Sequence, residues 1–95
     1  MSRGVNAERG ETVLLVDGAP VRLCLTLGAL ATLETAFGPD ALEERLRKVT
    51  ADDLLVLVSA LSGDPDLTPQ ALAGRAIHPA EAARAVAEAF RLAFA

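Results

Sequence analysis

Four features of this 95-residue chain could do chemistry by residue type. His78 is the single imidazole and a candidate general base. Cys24 is the single thiol and a candidate nucleophile. Asp52 and Asp53 place two carboxylates side by side, where a cation could be held. Gly28, within Thr26-Leu27-Gly28-Ala29-Leu30, stands where a phosphate-cradling turn would need a glycine. None of them is in a spacing that completes its chemistry. No nucleophile or acid accompanies His78 in a recognisable motif, and its plainer place is a break between helices, closing their ends. Cys24 stands between Leu23 and Leu25 and reads as a small packed side chain. Asp52 and Asp53 follow Thr50 and read as first-turn helix acids. Gly28 has no second glycine or lysine at phosphate-loop spacing, so it predicts close backbone packing between hairpin and helix. One His and one Cys cannot make a conventional zinc site. The expectation is a protein with no enzymatic activity, cofactor or metal.

The elements that would position these residues can be read from period and punctuation. Residues 1–10 are polar, include two glycines and predict a flexible arm. Glu11-Thr12-Val13-Leu14-Leu15-Val16, then Asp17-Gly18-Ala19-Pro20, then Val21-Arg22-Leu23-Cys24-Leu25 predict a β-hairpin over about 11–26. Asp-Gly is a strong hairpin turn, and Val21, Leu23 and Leu25 alternate onto one face. Thr26 then caps a helix carrying Leu30, Leu33 and Phe37 as its stripe, with Gly38 at a left-handed C′ position and Pro39 as its stop. A second helix is predicted from about Pro39 or Asp40. Its apolar side is Leu42, Leu46 and Val49, and Glu43, Glu44, Arg45, Arg47 and Lys48 are solvated.

Thr50 with Asp52 and Asp53 signals the start of a third helix. Leu54 to Leu61 is apolar nearly all round, as in a buried central helix. A strand competes there because Val56 and Val58 are β-branched, but the cap before and Gly63 after favour a helix. Thr68-Pro69 opens a short helix over about 69–76, and His78-Pro79 breaks it. The last helix, about 79–94, has Glu81, Arg84, Glu88 and Arg91 on one alternating-charge face and Ala83, Val86, Phe90 and Ala93 on another. The fold class is α+β: an arm at 1–10, then a single domain at 11–95 made of a hairpin and four to five short helices.

Composition excludes several function classes. A hydrophobic fraction of 52% is too high for a disordered chain. A single Cys forms no internal disulfide. With no Tyr or Trp and a net charge of -4, nucleic-acid binding by basic patches and stacking is not expected. No apolar h-region opens the chain and no stretch approaches the roughly 20 apolar residues of a membrane span, so a cytoplasmic chain is expected. Nineteen Ala and sixteen Leu among so few reactive side chains leave protein–protein contact.

One stretch has a family likeness. Arg9-Gly10-Glu11 through Val16-Asp17-Gly18, then Leu25-Thr26-Leu27-Gly28-Ala29-Leu30-Ala31-Thr32-Leu33-Glu34, resembles the GTA gp10-like tail assembly chaperone family. These are small tail proteins of gene transfer agents and related siphophage-like prophages. The likeness continues more loosely through Phe37-Gly38, Asp53-Leu54-Leu55, Ser59 to Gly63 and the Ala-rich end. The chain departs from the pattern at Asp64-Pro65-Asp66. The resemblance implies a chaperone in a bacterial host that coats the tape measure protein during tail assembly and meets other tail proteins. The alternative is a structural component, a tail tube or adaptor subunit, retained in the particle. Self-association through Ala/Leu patches stays open. Leu33, Phe37, Val86, Phe90 and Phe94 are the apolar anchors, of the core or of a partner groove. Core is favoured, because a chain this small has few large side chains to spare.

Overall fold

The computed structural model describes residues 10–94; the arm expected at 1–10 lies outside the described residues except for Gly10, as does Ala95. Strands β1 (Glu11–Val16) and β2 (Ala19–Cys24) form an antiparallel hairpin. Five helices follow: α1 (Leu27–Phe37), α2 (Leu42–Arg47), α3 (Ala51–Ser62), α4 (Pro69–Ala73) and α5 (Pro79–Ala93).

The hairpin closes over Asp17 and Gly18, which both carry positive φ, 53° and 79°. That is the two-residue turn whose twist matches the strands, and Asp and Gly tolerate it best. Register pairs Thr12 with Leu23, Leu14 with Val21 and Leu15 with Pro20. Pro20 has no N–H, so it sits where the ladder needs none. Leu14, Val16 and Leu23 are buried on the inner face, with Val21 packed beside them. Leu15 faces outward and is exposed.

α3 is the central helix: it touches β2, α1, α4 and α5. Leu57, Val58 and Leu61 are buried, and Leu54, Leu55 and Val56 pack against the core from its flanks. The helix reading of this segment therefore holds over the strand. Gly63 closes it in the left-handed conformation. α5 lies antiparallel to β1. Gly10, just before β1, stands beside Leu92 and Ala93, while the turn after β1 is bonded to Ala76, just before α5.

Several expectations are corrected. On α1 the buried face is Ala29 and Leu33, with Phe37 packed against the core, and Leu30 is only half-buried at its edge. Thr26 caps this helix, accepting from the Ala29 N–H at 3.0 Å. Gly38 ends it with φ 89° and an extended ψ of 141°, outside the left-handed helical region. Gly28 marks no close approach, since a Cβ there would meet only Thr26 Oγ1 at 3.8 Å. α2 starts at Leu42, later than Pro39, and lacks a side-chain cap. α4 stops at Ala73, short of residue 76, with Gly74 as its C-cap, and Ala76 beyond it bonds to the hairpin turn. The buried side of α5 is Ala82, Ala85, Val86 and Ala89, rotated from the expected set so that Ala83 and Phe90 lie at its margin.

Candidate interaction surfaces

The residues singled out for chemistry do not converge. His78 is exposed at the N-cap of α5 and makes no side-chain capping bond; its backbone carbonyl accepts from the Ala82 N–H instead. Cys24 is half-buried at the end of β2. Among the described residues, no group of three or more His, Cys, Asp or Glu could hold a metal.

Asp52 and Asp53 part company. Asp52 is exposed, whereas Asp53 is 4% exposed. Thr50 and Asp53 form a reciprocal capping box: Asp53 N–H donates to Thr50 Oγ1 at 3.1 Å, and Thr50 N–H donates to Asp53 Oδ2 at 3.1 Å. Arg45 adds a bond to Asp53 Oδ1 at 2.8 Å, and its guanidinium lies 5.2 Å from the centre of the Phe37 ring. Arg45 is exposed, as expected, and also ties α2 to the start of α3 and the end of α1. Burial pushes the Asp53 carboxyl up, but hydrogen bonds from Thr50 and the Arg45 charge outweigh it and hold it below 3.8.

The second knot is long-range. Asp17 N–H donates to the Ala76 carbonyl at 2.9 Å, and Ala76 N–H donates to Asp17 Oδ1 at 2.7 Å. Arg75 stands 3.5 Å from Asp17 Oδ2. The Asp-Gly signal showed the turn; nothing in the sequence pattern pointed to its partner. On α5 the charge ladder resolves into Glu81–Arg84 and Glu88–Arg91 pairs on the exposed face. Hydrogen bonds from Arg84 and Arg91 lower those two carboxyls, but exposed pairs like these add little stability.

The anchor residues divide. Leu33 and Val86 are buried in the core, and Phe37 and Phe90 pack against it. Phe94 departs from the favoured core reading: it is the C-cap of α5, where the helix runs past the core, and is 72% exposed. Leu27, at the first position of α1, is 86% exposed and was not singled out. Among the described residues, two apolar grooves stand out. One, of about 250 Å³, lies between α3, α4 and the start of α5, lined by Leu54, Leu55, Leu72, Ile77, Pro79 and Ala82 among others. The other, of about 270 Å³, lies between α2, α3 and α5, with Leu46, Val49, Leu54, Ala83, Val86 and Phe90 in its walls. Leu54 lines both. Sequence period found these leucines but could not show that their faces leave gaps.

The fold and these surfaces define a small α+β protein with apolar grooves and exposed apolar side chains. No described helix is long and apolar enough to cross a membrane. The family model for phage tail tube protein, GTA-gp10, matches residues 9–95. The chain belongs to that family and is a component of a phage-like tail, with other tail proteins as its partners. The searches of curated proteins and of solved structures gave no match.

Proposed function

We propose that this chain is a non-enzymatic structural component of a phage-like tail, a tube or adaptor subunit retained in the particle. The observation that carries this reading is the tail-tube family match over residues 9–95. The surface supports it: apolar grooves beside α3 and exposed Phe94 and Leu27 suit lasting contact with neighbouring subunits. Mass spectrometry of purified particles tests it. Tens of copies per particle are expected, and absence from intact particles overturns it.

A second reading is an assembly chaperone for the tape measure protein, acting in the host cytoplasm and displaced as the tube forms. It is favoured by the sheet, which has only two described strands and so little with which to build a ring. Grooves between helices can take the i, i+3 and i+4 side chains of a client helix. On this reading the chain co-purifies with the tape measure protein, raises its solubility and is missing from finished particles. Failure of both co-purification and solubilisation excludes the chaperone role. Replacing His78 or Cys24 by Ala leaves either role unchanged.

A further inference from the structure

Asp17 and Gly18 form an exposed pair with a reactivity of its own. The backbone nitrogen of Gly18 can attack Cγ of the Asp17 side chain. One carboxylate oxygen leaves as water, carrying the amide proton and a proton from solvent, and a five-membered succinimide closes. Water then opens the ring and the borrowed proton returns to solvent. Opening at Cγ restores aspartate. Opening at the main-chain carbonyl gives isoaspartate, in which the chain runs on through Cβ and Cγ. Glycine hinders the attack least, because no Cβ stands beside its nitrogen.

Packing does not shield this bond. A Cβ at Gly18 would meet nothing within 4 Å, and the Asp17 side chain is 46% exposed. The clasp to Ala76 restrains it instead. Oδ1 accepts the Ala76 N–H at 2.7 Å, Oδ2 faces the Arg75 guanidinium at 3.5 Å, and the Asp17 N–H donates to the Ala76 carbonyl at 2.9 Å. To bring Cγ onto the Gly18 nitrogen, the side chain must swing away from Ala76. Ring closure must also rotate the peptide out of a turn fixed by the Val16–Ala19 pairing and by positive φ at both residues.

We propose that Asp17–Gly18 is a site of isoaspartate formation gated by the clasp: the bond is preserved while the turn holds Ala76 and converts when the turn lets go. Conversion is then self-sealing. Isoaspartate lengthens the turn by one main-chain carbon and leaves the carboxylate directly on Cα, one carbon short of the arm that reached Ala76. The clasp does not re-form. The segment it held carries Arg75 and Ile77, which wall the α3–α4–α5 groove, so a converted chain has also lost the tie between groove and hairpin. The reaction belongs to the chain itself and is the same whatever its role in the tail.

The full chain, incubated at neutral pH folded or unfolded in urea, tests this. Its tryptic peptide Gly10–Arg22 holds Asp17 as its one Asp and contains no Asn, so isoaspartate-specific methylation of that peptide reports this site. Two hydrogen bonds must open before the ring closes, so the folded chain should convert about ten- to hundredfold more slowly than the unfolded one. The Ala76 N–H should be protected from hydrogen exchange by the same factor, since the same opening exposes it. Ala76→Pro removes the donor at an exposed position and should recover most of the unfolded rate. Arg75→Ala should raise the folded rate about twofold. A folded wild type that converts as fast as the unfolded chain overturns the proposal. So does an Ala76→Pro chain that keeps the wild-type melting curve yet converts no faster. A wild-type suppression that matches the exchange protection of Leu57 and Val58 in buried α3, rather than that of Ala76, also overturns it, because global unfolding is then the gate. That comparison uses the wild type alone and decides the point even if Ala76→Pro does not fold.

Discussion

Asp53 and Asp17 each fasten a turn to a neighbouring element, but from opposite situations. Asp53 is buried, bonds within three residues to Thr50 and draws in Arg45 eight residues away. Asp17 is half-exposed and holds Ala76, fifty-nine residues along the chain, with both its backbone and its carboxylate. The first knot secures where a helix begins. The second fastens the hairpin turn to the segment between α4 and α5. Local bonding into a dry site gives the stronger knot; long-range bonding at the surface gives the more architectural one.

That contrast can be broken by substitution. The largest effect is expected for Asp53→Ala, which removes the carboxylate half of the capping box and the Arg45 bond and leaves the Thr50 N–H without its acceptor. It should cost about 2–3 kcal/mol in urea unfolding. Arg45→Ala should follow at about 1–2 kcal/mol, through the lost bond to Asp53 and the lost stacking on Phe37. If Arg45→Ala costs as much as Asp53→Ala, the local capping box is not what makes this knot strong.

Asp17→Ala should cost about 1–2 kcal/mol, because alanine tolerates positive φ poorly and the Ala76 N–H loses its acceptor. Asp17→Asn keeps both features and should stay within about 0.5 kcal/mol of wild type. Arg75→Ala should be the smallest, at about 0.5 kcal/mol or less and shrinking with added salt, as for an exposed pair.

Acid sharpens the comparison. The folded-state pKa of Asp53 lies below its ordinary value of 3.8. Its contribution is therefore complete above pH 3.8 and drains away as the pH falls through the lowered folded value. An unfolding series below pH 4 should show a steeper loss in wild type than in Asp53→Asn, which keeps a capping oxygen but does not titrate there. Equal slopes would mean that other carboxylates carry the acid response.

Much of the fold was legible because it is written locally. Thr26, Thr50 and Thr68 each precede a helix whose N–H they accept, and Asp-Gly marks a turn that needs two positive φ values. The central place of α3 followed from leucine and valine on nearly every side. Which flank of an Ala-rich helix goes inside was not legible: on α5 alanine lies all round, so small rotations exchange Ala83 for Ala82 at little cost in pattern. The surfaces were less legible still. Phe94 reads as an anchor by type, yet it stands beyond the point where α5 leaves the core.

The sequence by itself determined the hairpin, the starts of three helices through their threonine caps, and the absence of any spacing that would assemble a reaction centre from His78 or Cys24. These depend on residues within a turn or two of one another. Only the tertiary structure decided that Asp17 would hold Ala76, that Arg45 would reach Asp53, and that two grooves would open beside Leu54 while Phe94 stayed exposed at the end of α5. Burial is a property of facing surfaces, and which surfaces face each other is fixed only when all the elements pack together.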